Sequence, residues 1–353
     1  GWLLVSGWDR IVRPVRWPRF PFTFDLVPAE SLRGGLEITL SRGCHFRCSF
    51  CCKLQGAARR RLSLLAVERL LATYRAQLDR DPSHGAQARH VNINDDDLLQ
   101  DPEYARKVFS LLLRHRLELA GVQTSLATLD TLHRQGGLTM LTRPALFAGG
   151  RPLLWIGSDT FLVERGRRLR KPVLAPARLE ALLAELDRNA IAHHHYWISS
   201  DADSTWPEFI REFLLLIRLL TAHPQMGLLP HAPFVIPYVG TELHRRAIDS
   251  GQQAQIVTRG IVAAADPRFA WPLAGRLETR YPGLNRLLRG EAGQRGPAFL
   301  RALAARDFLA AIQPVFHALG QERRSAEERG EVAFATELRQ SEDQLADEAS
   351  RRV

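Results

Sequence analysis

Cysteine is scarce in this sequence, and all of it lies in one place. The 353 residues include four cysteines, Cys44, Cys48, Cys51 and Cys52, and none elsewhere. A secreted disulfide scaffold distributes its cysteines along the chain so that distant segments can pair. Because no distant cysteine is present, the sequence argues against a disulfide framework and we expect a cytoplasmic protein.

Long apolar runs are also lacking. No stretch approaches the roughly 18 uninterrupted apolar residues that indicate a membrane-spanning helix. Charge and tryptophan interrupt residues 1–10, so we expect no signal peptide there, although a chain that begins with Gly can have lost a preceding segment. The apolar content of 45% is typical of a globular protein. We therefore expect a soluble protein without a membrane partner.

Lysine is rare although the chain is basic. The formal net charge is +10 and the pI about 10.1, yet only three of the 48 basic residues are lysines. The basic runs are short, which favours a solvated surface that attracts acidic proteins over a surface that binds nucleic acid. An RNA substrate stays open as the alternative.

Strand-like and helix-like segments alternate between residues 35 and 250. The predicted strands, which are short and rich in apolar or β-branched residues, cover 35–40, 90–94, 119–126, 152–158, 191–200 and 228–237. The predicted helices, which carry apolar residues at helical spacing, cover 63–78, 102–116, 160–170, 177–189, 205–223, 241–249, 296–319 and 321–349. Alternation predicts an α/β fold with a parallel sheet and helices outside it. Six repeats fit a partial (β/α)6 barrel, whose chemistry lies at the carboxyl ends of the strands.

Three regions follow from this pattern. We expect a lead-in over residues 1–34, the barrel over 35–250 and a mostly helical extension over 251–353. The last helix carries charges of both signs along its length, as a surface helix or a partner contact does.

The cysteine spacing is that of a metal-binding loop. Cys44, Cys48 and Cys51 are separated by three and two residues. Three thiolates on a short loop suit three irons of a [4Fe–4S] cluster and leave the fourth iron open to another ligand. Structural zinc is the alternative, but it takes four ligands, usually in two separated pairs, and no second pair is present. The ligand count therefore favours the cluster.

The segment SRGCHFRCSFC, residues 41–51, resembles the cluster loop of the radical S-adenosylmethionine (SAM) superfamily, whose signature is C-x3-C-x-aromatic-C. Phe50 occupies the aromatic position. The preceding SRG is similar to the subgroup that contains methylthiotransferases and cobalamin-dependent radical SAM enzymes. Three stretches resemble later parts of that core, in the family's order: LLWIGSDTFLVERGRRLRK, YWISSDADSTWPEF and FVIPYVGTEL. The first has Asp159 in place of the usual Glu, and the second lacks the family's Gly and Glu. The resemblance covers about residues 35–250.

The resemblance implies a reaction. A [4Fe–4S] cluster would cleave SAM reductively to a 5′-deoxyadenosyl radical, which abstracts hydrogen from an organic substrate, here expected to be a specialised metabolite. A flavodoxin or ferredoxin would supply the electron, and the acidity of these proteins suits a basic surface. A small molecule is favoured over RNA as the substrate.

The resemblance also implies contacts to SAM. Phe50 would lie against the adenine, and one carboxylate after the second strand would receive the SAM ammonium. The carboxylates in that stretch are Asp95, Asp96 and Asp97, of which we favour Asp96. Asp159 would bind the ribose or the methionyl end, and Ser199 and Ser200 would replace the missing glycine-rich contact. For Asp97 and Asp159, the alternative is a helix N-cap.

The remaining candidates concern the substrate. His193 and His195 share one face of a predicted strand, and we expect them, with Tyr196 and Tyr238, to contact substrate; packing is the alternative for the histidines. The catalytic residue is unassigned, with Tyr196 and Cys52 as candidates. Cys52 would donate hydrogen or carry substrate, although a small apolar residue beside the cluster is the favoured interpretation.

Further absences narrow the subgroup. No cysteine remains for an auxiliary cluster, which argues against methylthiotransferases and related peptide modifiers. The 43 residues before Cys44 are too few for a cobalamin domain, and no D-x-H-x-x-G motif occurs. A cobalamin-dependent methyltransferase that lacks its cobalamin domain in this chain and an RNA-modifying enzyme stay open as alternatives. A non-catalytic iron–sulfur or zinc-stabilised binding protein is the alternative from a different class.

Overall fold

Six strands form one parallel sheet in the computed structural model. The structure describes residues 32–51, 59–80, 85–201, 203–229, 241–249, 279, 281–289 and 297–352. The strands of the sheet are β1 (Leu36–Ile38), β2 (His90–Ile93), β3 (Glu118–Thr124), β4 (Leu153–Asp159), β5 (Ala192–Trp197) and β6 (Met226–Leu229). Each strand pairs in parallel with the next in chain order.

Helices connect the strands and continue beyond them. Those between strands are α1 (Leu64–Arg80), α2 (Pro102–Arg114), α3 (Leu126–Arg134), α4 (Val163–Leu169), α5 (Pro176–Arg188) and α6 (Trp206–Ala222). Those after β6 are α7 (Glu242–Asp249), α8 (Pro282–Arg289), α9 (Ala298–Ala304), α10 (Phe308–Glu328) and α11 (Val332–Ser350). None of the described helices has both the length and the apolarity needed to cross a membrane.

The strand order determines the shape of the sheet. Parallel strand–helix–strand connections are right-handed, so strands added in one direction keep their helices on one side. The other side then curves inward, as in a β/α barrel. β1 and β6 are the sheet edges within the described residues, so the barrel is open. The predicted partial barrel is confirmed.

Alternation along the strands separates the helix-facing side from the concave side. In β4, Leu154 and Ile156 are fully buried, whereas Trp155 and Gly157 are only partly buried. β5 repeats this pattern with a period of two residues, as a strand requires.

Several predicted boundaries shift. The predicted strand 119–126 ends at Thr124, because the Ser125 side chain accepts from the backbone N–H of Thr128 and begins α3, a helix that the sequence analysis missed. The helix predicted over 160–170 begins only at Val163. Sheet pairing in the sixth repeat begins at Met226, and residues 230–237 of that predicted strand lie outside the described residues.

The sequence predicted two helices from residue 296 onward, but the structure has three, α9, α10 and α11, which are separated at residues 305–307 and 329–331. Phe299 of α9 packs edge-on against Phe209 and Phe213 of α6, with ring centroids 5.8 and 6.0 Å apart. These helices belong to the same hydrophobic core as the barrel helices. Residues 1–31 of the expected lead-in lie outside the described residues.

Candidate functional site

The cysteine loop begins at the carboxyl end of β1. Ser41–Arg42 first pairs antiparallel with Arg60–Arg61, and Gly43 then turns the chain into Cys44. Gly43 has a φ of 103°, which side chains rarely tolerate, so glycine is required immediately before the first cysteine. The backbone N–H of Gly43 donates to Asp96 Oδ2 at 2.7 Å, which holds the turn.

Asp95 holds the preceding residues of the loop. Its Oδ1 accepts from the backbone N–H groups of Leu40 and Ser41 at 2.7 and 3.0 Å, and Oδ2 accepts from the Ser41 hydroxyl. The Arg59 guanidinium lies 3.7 Å from the same carboxylate. Asp95 and Asp96, at the end of β2, therefore fix the loop that follows β1. Their predicted contact with the SAM ammonium stays a prediction.

Asp97 bonds to the end of β3 and the start of α3 instead of capping the turn that follows it. Its carboxylate accepts from the hydroxyls of Thr124, Ser125 and Thr128 at 2.9, 3.2 and 2.7 Å. Burial raises the pKa of Asp97, and these hydroxyl donors act against that rise. The N-cap alternative is wrong for Asp97, since its side chain bonds to no backbone N–H of the following 3-10 turn.

Gln100 connects Asp97 to the first cysteine. Its Nε2 lies 3.3 Å from Asp97 Oδ2 and 3.2 Å from Cys44 Sγ, and its Oε1 accepts from the backbone N–H of His45 at 3.2 Å. Gln100 was not predictable from the sequence, because an amide outside any motif carries no signal. The one indication of a role at the site was its position three residues after Asp97, in the segment that follows the second predicted strand.

The far end of the loop is held by two helices. Ser49 donates through its backbone N–H and its hydroxyl to the carbonyl of Leu169, at 2.9 and 3.1 Å, and its own carbonyl accepts from the N–H of Leu243 at 3.2 Å. An ion pair between Arg170 and Glu242, at 2.6 Å, joins the same two helix ends. Phe50 follows in a partly buried position, and its predicted adenine contact stays untested.

Lys171 brings a buried cation to the cysteines. Its Nζ lies 2.6 Å from Asp159 Oδ2, and a Cβ built on Gly157 would lie 3.5 Å from the same Nζ. Burial lowers the pKa of Lys171, but Asp159 and Cys48 more than offset it, so the net direction is upward. Burial raises the pKa of the Cys48 thiol to about 11, and Lys171 acts against that rise. Lys171 stood in a stretch that resembles the family, but the sequence analysis gave it no role.

Asp159 has a left-handed backbone, with a φ of 61°, which non-glycine residues seldom adopt. The N-cap alternative is wrong for this residue too, because α4 begins at Val163 after Leu162, without a side-chain cap. Its carboxylate bonds to Lys171 instead. The predicted contact with SAM stays a prediction.

The donor set suits a cluster. Cys48 is buried, Cys44 and Cys51 are partly buried, and charges on Cys44 and Cys51 would act on the Cys48 thiol. Among the described residues, no three His, Cys, Asp or Glu side chains converge as ligands of a single metal ion. A cubane binds each thiolate through a different iron, so it does not need such convergence. Cys52 lies outside the described residues.

The predicted substrate histidines lie on the helix-facing side of β5. His193 Nδ1 is 2.7 Å from His195 Nε2, and His195 Nδ1 is 2.5 Å from Ser158 Oγ. Both imidazoles are fully buried, and His195 lies against the Phe161 ring. A period of two places His194 and Tyr196 on the concave side instead. This geometry favours the packing alternative for His193 and His195, and their predicted substrate contact stays a prediction. Tyr238 lies outside the described residues.

The concave face holds a row of aromatic side chains over glycines. The rings of Trp155 and His194 have centroids 5.4 Å apart. A Cβ on Gly121 would lie 2.3 Å from Trp155 Nε1, and one on Gly227 would lie 2.9 Å from His194 Nδ1. Both rings therefore lie over neighbouring strands that have no side chain at those points. Trp155 and Tyr196 border a cavity of about 380 Å³.

A buried ion network supports the loops after β4 and β5. Arg165 pairs with Asp201 at 3.0 Å and with Glu212 at 2.7 Å. Glu212 also accepts from the hydroxyl of Thr160 and the N–H of Phe161, at 2.5 and 2.6 Å. The network joins both loops to α6, on the side away from the cavity.

Ser199 and Ser200 are buried just after β5, at the end of the sheet that carries the cysteine loop. Their predicted adenine contact stays a prediction.

Comparisons with known proteins give weak structural matches. No protein-family model matches the chain, and a search of curated proteins found no match. Among solved structures, the chain is similar to the cobalamin-dependent S-adenosylmethionine radical enzyme OxsB with aqua-cobalamin bound, at 13% identity over 63% of this chain and 36% of that chain, with a TM-score of 0.48. It is also similar to methylornithine synthase (PylB), at 16% identity over 61% of this chain and 60% of that one, with a TM-score of 0.36. The chain thus spans about a third of OxsB, and at these scores the functional argument depends on its own residues.

Proposed function

We propose that the chain is a radical SAM enzyme in which Cys44, Cys48 and Cys51 hold a [4Fe–4S] cluster. The observation that carries the proposal is the position of this three-thiol loop. It follows the first strand of an open β/α barrel, at the edge where such barrels carry their chemistry. Asp95, Asp96 and the ends of two helices hold it there.

The bound cluster would supply one electron for the cleavage of SAM to a 5′-deoxyadenosyl radical. The chain's own residues would bind and orient SAM. The ammonium of Lys171, whose charge acts on the Cys48 thiol, is suited to the SAM carboxylate, and Asp159 to its amino or hydroxyl groups. Phe50, Ser199 and Ser200 would contact the adenosine, and Asp96 would receive the ammonium.

The substrate would lie on the concave face. That face carries partly buried side chains of β4 and β5 and a cavity bordered by Trp155 and Tyr196. An acidic flavodoxin or ferredoxin would deliver the electron to the basic exterior.

The test is anaerobic reconstitution followed by iron and sulfide analysis and EPR of the reduced protein with and without SAM. We expect about four irons per chain, by the three-thiolate arrangement, and a spectrum that changes when SAM is added. Cys51→Ser should lower the iron content and abolish the change. Cys52→Ser, which alters the adjacent thiol outside the three-cysteine spacing, is the matched control and should behave as the wild type.

Two results would contradict the proposal. Stoichiometric zinc with no iron uptake would indicate a zinc-stabilised protein. A cluster whose EPR spectrum ignores SAM would indicate a non-catalytic iron–sulfur protein.

A further inference from the structure

The charge of the concave cavity differs from that of the whole chain. The chain carries a net charge of +10, but among the described residues no Arg or Lys borders this cavity. Its polar lining comprises a carboxylate, Glu37, the histidine His90 and the amides of Asn92, Asn94 and Gln123, and its aromatic lining comprises Trp155 and Tyr196. Within the part of the chain that the structure describes, the basic side chains therefore lie outside the lining of this cavity.

The carboxylate and the aromatic groups of the cavity stand on strands at opposite sides of its lining. Glu37 of β1 is in register with Asn92 of β2, and Asn94 Nδ2 lies 3.4 Å from Glu37 Oε2. Trp155 and Tyr196 stand on β4 and β5. Neighbouring strands are about 4.8 Å apart, so β1 and β4 are separated by about 14 Å along the sheet. A ligand that reaches both ends is elongated.

The carboxylate end favours a cation. Glu37 is exposed to the cavity, and the described residues place no basic side chain within ion-pair distance of it. An ammonium would form a charge-assisted hydrogen bond with this carboxylate, whereas a phosphate or carboxylate group would be repelled by it. The neighbouring amides can donate to and accept from hydroxyl or carbonyl groups.

The aromatic end favours a flat or apolar group. Trp155 lies over Gly121, which holds the indole close to the sheet and exposes its other side to the cavity. Burial raises the pKa of Tyr196, so its phenol stays a neutral hydrogen-bond donor at physiological pH. The size of the cavity, about 380 Å³, is that of sites for small organic ligands.

We propose that the substrate is an elongated organic amine, neutral or cationic overall, with its ammonium at Glu37 and an aromatic or apolar group at Trp155 and Tyr196. The proposal rests on the function proposed above, and it names the class of molecule that this site takes. Phosphorylated metabolites and RNA are disfavoured at this face, whatever the charge of the exterior.

The experiment compares two matched probes, 4-phenylbutylamine and 5-phenylpentanoate, which share a phenyl ring and a four-carbon chain and differ in the sign of the terminal charge. Binding to the reconstituted protein is measured by isothermal titration without reductant, so no turnover is needed. We expect the amine to bind at least tenfold more tightly than the carboxylate. Glu37→Gln should remove this preference, and Trp155→Leu should lower the affinity for the amine at least fivefold.

Glu164→Gln is the control. Glu164 is an exposed carboxylate on α4 that pairs with Arg211 at 2.9 Å, and its loss should leave both affinities unchanged. Circular dichroism checks that each variant is folded. Equal binding of the two probes, tighter binding of the carboxylate, or an unchanged preference in Glu37→Gln would overturn the proposal.

The same preparation is assayed for SAM cleavage, so the two proposals fail separately. SAM cleavage without an amine preference would leave a radical SAM enzyme with another substrate class. An amine preference without SAM cleavage would leave an amine-binding barrel of another function.

Discussion

Single contacts at the cysteine loop link residues that are far apart in the chain. Gln100 touches Cys44 across 56 positions, and Ser49 touches Leu169 across 120. The hydrogen bond from Gln100 reaches a sulfur that we assign to the cluster. Hydrogen bonds to cluster sulfurs raise the reduction potential, because they stabilise the more negative reduced state.

We therefore expect Gln100→Leu to assemble a cluster with a more negative midpoint potential than the wild type. An EPR-monitored redox titration measures it. Gln77→Leu is the control, since it removes an amide on α1 that accepts a hydrogen bond from Arg80, far from the cysteines in sequence. An unchanged potential in Gln100→Leu, with full iron content, would show that this contact does not act on the cluster.

The residues of the cysteine motif were predictable from the sequence, whereas the residues that hydrogen-bond to them or act on them by charge were not. The cysteines, Phe50 and the aspartates after β2 stand out by spacing or by position after a strand. Gln100 and Lys171 act through partners that only folding brings near, so their roles required the structure. The same holds for the three aspartates after β2. Their cluster is evident in the sequence, but the different hydrogen-bond partners of each carboxylate are not.

At the scale of the element, β5 carries two fully buried histidines, His193 and His195. Burial lowers the pKa of His193 to about 3 and lowers that of His195 well below its usual value. In the unfolded chain these groups titrate near 6.5. Below this pH the unfolded state binds protons that the folded state does not bind, so the free energy of unfolding decreases as the pH falls below about 6.5.

His193 should cost about 2 kcal/mol of unfolding free energy between pH 7 and pH 5, from the difference in proton binding. We expect His193→Gln to unfold with a pH dependence that is smaller by about this amount, as measured by urea denaturation at both pH values. His317→Gln, on the exposed face of α10, controls for the loss of an imidazole. An unchanged slope in His193→Gln would mean that the buried imidazole accepts a proton in the folded state.

The sequence predicted that His193 and His195 share a face but not which face it is. Trp197 lies on the same face of β5 as His193 and His195 and is fully buried. A large apolar residue two positions after His195 was therefore the sequence feature that indicated a buried face. The choice between the concave side and the helix side depends on how the sheet curves, which a single strand does not encode.

At the scale of the whole molecule, the C-terminal helices complete the barrel core. Arg306, between α9 and α10, donates to the carbonyls of Leu220, His223, Pro224 and Met226. One guanidinium thus satisfies the turn that joins α6 to β6. The alternation of strands and helices predicted the sheet order, whereas this contact between residues some 80 positions apart had no sequence signal.

Arg306→Met should lower the free energy of unfolding by about 2–4 kcal/mol, because several part-buried carbonyls lose a charged donor at once. Urea denaturation at pH 7 measures the change. Arg339→Met removes an exposed pair with Glu327 on α10 and should cost less than about 1 kcal/mol. A loss in Arg306→Met no greater than in Arg339→Met would mean that the extension does not stabilise the barrel.

The most direct test of the central claim is the formation of 5′-deoxyadenosine from SAM. Reconstituted wild-type protein is reduced anaerobically with dithionite, and the product is measured by chromatography beside Cys48→Ser and Cys52→Ser. The account predicts 5′-deoxyadenosine from the wild type and from Cys52→Ser, and none from Cys48→Ser. Absence of product from wild-type protein with a full complement of iron, or equal product from Cys48→Ser, would contradict it.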